Sequence, residues 1–208
     1  MINNYDSVVS QNSSGATILQ KQNAASYAYG RRNRFSFVLT FLMLFSFVFA
    51  QGQSTANYTF TYGPSILNSM SGSTPVPGIA AYPADSGAST ILPIGFNFTY
   101  MGTNYSHFNV NTDGQVRLHT SGSGTAMGNS VSGYSASTVT LAPMGGDNET
   151  GTGISYLVTG TAPNRKLIIE WNNFYAHWTD PQTSGNMQLV LNEGTGVFEF
   201  LYGGIKNS

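Results

Sequence analysis

The sequence contains no cysteine, and only 8% of its 208 residues are charged. The absence of cysteine excludes a disulfide framework, but it does not identify the compartment, because oxidising compartments permit disulfides without requiring them. Lysine and arginine together number 8, which is too few for a basic surface that neutralises nucleic-acid phosphates. The composition therefore predicts no nucleic-acid partner.

The few charges are distributed unevenly along the chain. Residues 1–50 contain four Lys or Arg and one Asp, whereas residues 51–208 contain four Lys or Arg and eight Asp or Glu. The second part is rich in Ser, Thr, Asn, Gly and Tyr, a composition typical of short strands and polar turns. Its length suits one domain with a real core, so we expect residues 51–208 to form a single β-sandwich domain.

The N-terminal part has the features of an export signal. Residues 1–30 are polar and lack hydrophobic periodicity, so we interpret them as a disordered leader extension. A cluster of three arginines then precedes an apolar run over residues 35–50. This arrangement predicts a secretory signal peptide over residues 31–50, cleaved after Ala50, and a secreted or cell-surface protein. The alternative is a retained membrane anchor, but the run is shorter than the roughly 20 residues of a spanning helix.

The stretch Ile91–Thr120 reads as three short strands joined by tight turns. Alternation of apolar and small or polar residues places four side chains on one face of its first strand: Ile94, Phe96, Phe98 and Tyr100. The run Asn111–Gly114 is a strong turn signal, because glycine accepts a positive φ. The third strand places Val116 and Leu118 inward.

Short alternating segments continue through the rest of the chain. Strands are predicted over Tyr58–Tyr62, Ile79–Tyr82, Thr138–Ala142, Ile154–Thr159, Lys166–Asn172, Met187–Asn192 and Val197–Tyr202, with Phe174–Trp178 continuing or bulging the strand before it. Roughly ten short strands without a helical period predict an all-β fold. We expect a two-sheet antiparallel sandwich of the jelly-roll or Ig-like kind.

A glycine-rich loop over Met144–Gly153 contains Asp147 and Glu149. Hard cations such as Ca²⁺ take carboxylate and carbonyl oxygens from loops of this kind, so these two residues are candidate metal ligands. Two carboxylates are few, and the alternative is an Asp that stabilises the turn through local backbone N–H groups. No metal-ligand spacing links the histidines, which are expected in exposed strand or turn positions: His107, His119 and His177.

The densest aromatic cluster of the chain follows Glu170. Exposed aromatic faces beside polar groups bind sugars, so we select Tyr175, His177 and Trp178 as candidate ligand-binding residues. Strand alternation instead assigns Trp171 to the core. No Gly-x-Ser-x-Gly motif is present, and no carboxylate pair has an evident catalytic arrangement, so the sequence predicts no enzyme activity.

Four segments occur in a familiar order: IGFNFTYMGTNYSHFNVNTDGQVRL, LAPMGGD, GISYLVTGTAPNRKLIIEWNNF and MQLVLNEGTGVFEFLYG. This series resembles the N-terminal β-sandwich module of secreted Bacteroidota-type surface proteins, which are type IX secretion substrates. It is similar, more distantly, to the nidogen-like extracellular domain. The sequence departs from that pattern at Met144, Gly145 and Gly146, which stand where the family has a bulky aromatic pair.

The resemblance implies a non-enzymatic extracellular module with an adhesion or structural role and a glycan or protein ligand. In such proteins the module often precedes adhesion-type repeats and a sorting domain, so further domains of the same polypeptide are expected beyond residue 208. Two alternatives remain open at this point. One is a carbohydrate-binding module, and the other is an accessory domain of a larger secreted hydrolase.

Overall fold

The computed structural model describes residues 58–80, 85–129, 137–177, 183–204 and 206–207. Within these residues the chain forms eleven strands and no helix: β1 (Thr74–Pro75), β2 (Leu92–Tyr100), β3 (Thr103–Val110), β4 (Val116–His119), β5 (Val139–Leu141), β6 (Glu149–Thr150), β7 (Ile154–Thr159), β8 (Lys166–Tyr175), β9 (Thr183–Asn192), β10 (Phe198–Tyr202) and β11 (Lys206–Asn207). The described part of the chain accordingly has no apolar helix that could cross a bilayer. The predicted leader and signal peptide lie outside the described residues.

The strands form two antiparallel sheets, which confirms the predicted fold class. The small sheet has the order β2-β3-β4-β5. The large sheet has the order β1-β7-β8-β9-β10, with β6 paired to β8 and β11 paired to β9. Most neighbouring strands also follow one another in the chain, so each sheet is largely a meander.

The core lies between the two sheets and is built by strand alternation. The small sheet contributes Ile94, Phe96, Phe98, Val116 and Leu118, as its sequence pattern predicts, together with Phe108 and Val110. The large sheet contributes Ile154, Leu167, Ile169, Trp171, Met187, Leu189 and Leu191. All of these side chains are buried. Because side chains alternate along a strand, the residues between them lie on the outer faces of the sheets.

The outer face of the large sheet has its own small apolar cluster. Ile168, Val190 and Leu201 are buried there, and Leu67 and Met70 pack against them. Residues 58–73, which we call the N-terminal segment, therefore cover part of this outer face. Because this segment covers the outer face, the central strands of the large sheet carry apolar residues on both of their faces.

The beginning of the N-terminal segment differs from the sequence prediction. The predicted strand Tyr58–Tyr62 is wrong, because these residues form no strand. The Tyr58 ring instead packs against Tyr100, with ring centroids 5.0 Å apart, and against Phe198 at 6.4 Å. Phe60 is exposed. The alternation of this stretch thus reflects one anchoring ring rather than sheet pairing.

One further strand prediction needs correction, and two short strands occur where none is predicted. No strand forms at residues 79–80, and the rest of the predicted Ile79–Tyr82 strand lies outside the described residues. The short strand β6 lies in the segment Met144–Gly153, which the sequence predicts as a loop, and β1 lies where no strand is predicted. A strand of two residues is too short to show an alternating pattern, so it cannot be recognised from the sequence alone.

The turn after β3 brings the sheets together at one end of the sandwich. Gly114 has a φ of 76°, as the turn signal predicts. A Cβ at this position would lie 2.3 Å from the carbonyl oxygen of Met144. The missing side chain therefore lets the loop after β5 approach the β3–β4 turn.

An ion pair lies at the turn between β7 and β8. The Arg165 guanidinium donates to the Glu193 carboxylate through Nη2 at 2.5 Å and through Nε at 2.7 Å. Its Nη1 donates to the carbonyl oxygen of Gly95 at 2.8 Å, and its carbon Cζ lies 5.5 Å from the centroid of the Phe96 ring. Arg165 thus connects the large sheet to β2 of the small sheet.

Candidate functional site

The structure joins the two segments that the sequence singled out as candidate binding regions. Glu149 on β6 pairs with Tyr175 at the end of β8. The N–H of the following Gly151 donates to the carbonyl oxygen of Asn173 at 2.8 Å. The glycine-rich loop and the aromatic segment therefore form one surface, which we call the β6–β8 surface and define as residues 147–151 and 172–177.

A β-bulge shapes this surface. The register between β8 and β9 shifts between Trp171 and Phe174, and Asn173 has a positive φ of 51°. The Asn173 N–H donates to the Asn186 side-chain oxygen at 3.0 Å, which holds the bulge in place. Trp171 and Phe174 both enter the core although they are three residues apart. The bulge thus redirects the last residues of β8, as bulges beside functional sites commonly do.

Two of the predicted ligand-binding residues lie just beyond this bulge. Tyr175 is half-buried at the end of β8, and His177 is exposed after the strand ends. Trp178 lies outside the described residues. The structure therefore places Tyr175 beside Glu149, and the assignment of these three residues to a ligand stays a prediction.

The two predicted metal ligands have different surroundings. Asp147 is exposed in the loop, whereas Glu149 is half-buried on β6. Between them, the buried Asn148 organises the loop, because its side-chain amide donates to the carbonyl oxygens of Met144 at 2.9 Å and Asp113 at 3.3 Å. Among the described residues, no group of three or more His, Asp or Glu side chains is arranged to hold a metal ion. Calcium binding at Asp147 and Glu149 stays a prediction.

Sequence reasoning did not anticipate the role of Asp113 at this end of the sandwich. Its carboxylate is buried and accepts the Asn148 N–H at 3.4 Å. Burial raises the pKa of Asp113, the Asn148 N–H lowers it, and the negative charges of Asp147 and Asp85 raise it again, with a net increase. The turn signal at residues 111–114 identified the backbone conformation, but it gave no sign that the loop after β5 would bury this carboxylate.

A row of polar side chains extends from the bulge along the outer face of the large sheet. Glu170 is buried and accepts hydrogen bonds from the side-chain amides of Gln188 and of Asn186, the latter at 3.3 Å. Gln188 in turn donates to the carbonyl oxygen of Asn68 at 2.9 Å and accepts the Asn68 N–H at 2.9 Å. These bonds tie the N-terminal segment to the centre of the sheet.

Some side chains of this polar row are fully hydrogen-bonded, and others could contact a ligand near Tyr175. Burial raises the pKa of Glu170, and the amides of Gln188 and Asn186 partly offset the increase. Both carboxylate oxygens are used in these bonds, so Glu170 serves the packing of the outer face. Nearer the bulge, Asn172 and Asn186 are only half-buried. The Asn186 amide is fully used within the row, whereas Asn172 Nδ2 makes only a 3.4 Å bond to Ser155 Oγ, so its second N–H can donate to a hydroxyl-rich ligand.

The polar row carried a weak signal in the sequence. Asn186 and Gln188 alternate with the apolar core residues of β9, as expected for an outer face. Alternation alone cannot distinguish a solvated outer face from one that is covered by another segment.

Comparison with known proteins places this architecture in a family. The comparison with curated proteins and the comparison with solved structures give no match. A family model described as "NIDO related" matches residues 57–208, which include both sheets and the β6–β8 surface. Because this match covers most of the chain, the protein belongs to the nidogen-related family of extracellular domains.

Proposed function

We propose that the protein is a secreted, non-enzymatic β-sandwich module with a structural or adhesive role at the cell surface. The observation that carries this proposal is the nidogen-related family match over residues 57–208. The apolar run at residues 35–50 supports export through a signal peptide that is removed after Ala50. Further domains of the same polypeptide would use this module as a spacer or as an attachment unit.

The arrangement of the buried acids supports a role without covalent chemistry. Both carboxylate oxygens of Glu170 accept bonds from neighbouring amides, and the Asp113 carboxylate accepts a main-chain N–H. Each of these acids therefore has a structural partner. A general acid or base needs a hydrogen-bonding position that faces the reacting group.

Two measurements test this proposal. Mass spectrometry of the protein recovered from the medium and from washed cells should find a chain that begins at Gln51. Beads coated with that mature protein should attach to cells or extracellular matrix, and soluble mature protein should compete for the attachment. Retention of the protein inside the producing cell would contradict the proposal, and bead attachment equal to that of albumin-coated beads would exclude the adhesive role.

A second candidate function is carbohydrate binding, which the neighbourhood of Tyr175 favours. The half-buried Tyr175 ring lies at the end of the strand that also carries the half-buried Asn172 amide. Aromatic rings stack on sugar faces while amides bond to hydroxyl groups. Such a site would bind a neutral glycan without any catalytic group.

A glycan array distinguishes the two functions. The wild-type protein should bind a neutral polysaccharide, Tyr175→Ala should reduce this binding, and Tyr62→Ala should leave it unchanged. Tyr62 is a suitable control because its ring is exposed in the N-terminal segment and is not one of the residues of the β6–β8 surface. Absence of glycan binding by a folded wild-type protein would eliminate the carbohydrate-binding function and leave the adhesive one.

A further inference from the structure

The outer face of the small sheet presents a cross-strand pair of histidines. His107 on β3 and His119 on β4 are direct partners in the antiparallel register. Their chain neighbours Phe108 and Leu118 point into the core, so both histidines lie on the outer face. The Cβ atoms of directly opposed residues are about 4.5–5.5 Å apart, so the two histidines are neighbours on this face.

The hydrogen bonds around His107 determine its tautomer. Its Nδ1 lies 2.8 Å from the Ser106 hydroxyl oxygen. That hydroxyl donates its only hydrogen to the carbonyl oxygen of Thr120 at 2.9 Å. The Ser106 oxygen must therefore accept from His107 Nδ1–H. In the neutral ring, the lone pair consequently lies on Nε2.

The tautomer of His119 follows from the orientation of Asn109. The Asn109 side-chain nitrogen donates to the carbonyl oxygen of Met127 at 2.9 Å, and its side-chain oxygen accepts the Met127 N–H at 3.1 Å. His119 Nε2 lies 2.9 Å from that same oxygen. Since an oxygen only accepts, His119 must donate from Nε2, and its lone pair lies on Nδ1.

Gly122 in the loop above this pair packs over the face of the His107 ring. A Cβ on Gly122 would lie 3.0 Å from His107 Nε2, 3.3 Å from Cδ2 and 3.7 Å from Cε1. These distances place it above the ring plane, so glycine permits this close contact and does not lie along the in-plane lone pair of Nε2. The loop that contains Gly122 is fixed to the sheet at Met127, which is hydrogen-bonded to the fully buried Asn109.

We propose that His107 Nε2 and His119 Nδ1 bind one divalent transition-metal cation of the Zn²⁺ or Cu²⁺ type. Imidazole nitrogen is a preferred ligand of these ions, at about 2.0–2.1 Å from zinc. Metal-binding histidines generally donate their other ring N–H to a fixed acceptor, and Ser106 and Asn109 provide that acceptor for the two rings. Water completes the coordination.

The number of protein ligands limits the affinity. Among the described residues, no third His, Asp or Glu joins this pair in a metal-binding group. Arg117 lies on the same outer face, opposite Asn109, and its positive charge opposes a cation. We therefore expect micromolar binding, as for an exchangeable site, and not a permanent structural metal.

Copper titration of the purified protein tests the site. Wild-type protein should bind one Cu²⁺ in isothermal titration, and its electron paramagnetic resonance spectrum should show two nitrogen ligands. His107→Gln and His119→Gln should each weaken this binding about tenfold or more. The matched control is His177→Gln, which removes the histidine outside this pair and should leave the affinity unchanged. Equal affinity in all four proteins would overturn the proposal and assign the copper to adventitious groups.

A second measurement separates metal loss from misfolding. Proton–nitrogen correlation spectra of the metal-free protein should show His107 protonated at Nδ1 and His119 protonated at Nε2. Zn²⁺ should then shift the resonances of the two unprotonated nitrogens together. If either ring has the other tautomer, or if Zn²⁺ leaves both resonances in place, the site does not exist.

Discussion

The indole N–H of Trp171 donates a hydrogen bond of 2.9 Å to the main-chain oxygen of Asn111 inside the core. Trp171 belongs to β8 of the large sheet, whereas Asn111 follows β3 of the small sheet. Both residues are fully buried. One polar contact thus fixes how the two sheets meet at the end of the sandwich that carries the β3–β4 turn.

Trp171→Phe should strongly destabilise the protein. The substitution leaves the buried Asn111 carbonyl without its donor and opens a cavity beside it, for a combined loss of about 3 kcal/mol in the free energy of unfolding. Urea denaturation at neutral pH measures this loss. The control Val197→Ala changes a half-exposed side chain and should stay within about 0.5 kcal/mol of wild type. A loss below 1 kcal/mol for Trp171→Phe would contradict the role of this bond.

Gly114→Ala should prevent the close approach of the loop after β5. The new Cβ would lie 2.3 Å from the Met144 carbonyl oxygen, at a φ of 76° that alanine disfavours. We expect a loss of about 3 kcal/mol or more, or failure to fold. Gly128→Ala is the matched control, because nothing lies within 4 Å of its added Cβ. Similar melting temperatures for the two variants would refute the prediction.

Met101→Asn should stabilise the protein. Met101 and Gly102 both have positive φ, at 49° and 74°, which is the conformation of a type I′ hairpin turn between β2 and β3. Asparagine tolerates the left-handed region better than methionine, so we expect a gain of about 0.5–1 kcal/mol. Thermal and urea denaturation measure the gain. The main-chain N–H of residue 101 still reaches the Tyr58 hydroxyl, so a loss of stability would show that the methionine side chain packs more tightly than we expect.

Gln188→Ala should release the N-terminal segment. The variant loses both bonds to the Asn68 main chain and leaves the buried Glu170 with one amide partner fewer. We expect a loss of about 2 kcal/mol. Hydrogen exchange at the Asn68 amide should accelerate. In Asn68→Ala the main-chain bonds to Gln188 survive, so slow exchange should persist there. Equal exchange rates at residue 68 in the two variants would argue against this anchor.

Asp147→Asn should stabilise the protein at neutral pH and lose this effect in acid. The folded-state pKa of Asp113 lies above its ordinary 3.8, so the native state binds a proton more readily than the unfolded state. Ionised Asp113 therefore costs stability at neutral pH, and the cost disappears as pH falls through the folded pKa. Removing the Asp147 charge should recover about 0.3 kcal/mol after solvent screening.

Urea denaturation at neutral and acidic pH checks that result. The gain should vanish once Asp113 is protonated and should shrink in high salt. Glu149→Gln is the control, since Glu149 is not among the groups that act on the pKa of Asp113. A gain that is independent of pH would show that Asp147 acts through something other than this carboxyl.

Local sequence pattern predicted the parts of the fold that depend on alternation. The face formed by Ile94, Phe96 and Phe98 lies in the core as expected, and so does Trp171. Tyr58–Tyr62 has the same alternation but no partner strand, and its first ring packs against Tyr100 and Phe198. Periodicity thus identifies a pleated surface only where neighbouring strands supply hydrogen bonds.

Both candidate binding sites depend on how neighbouring strands are paired, and this register cannot be read from the sequence. Glu149 meets Tyr175 because β6 pairs with the bulged end of β8. His107 meets His119 because the β3–β4 turn fixes the pairing of strands that contain them. A shift of one residue would send one of each pair to the opposite face. Spacing along the chain therefore could not reveal either contact.

The near-sequential strand order has a consequence for the order of folding. Strands β7 to β10 pair with their successors in the chain, so short loops close each step. Pairing of β1 with β7 joins Thr74 to Tyr156 and must close a much longer loop. Because loop closure costs more entropy as the loop lengthens, we expect the β7–β10 meander to form early and the N-terminal segment to dock last. Leu67→Ala, which removes a contact between the N-terminal segment and the outer-face cluster, should therefore accelerate unfolding while leaving the refolding rate almost unchanged.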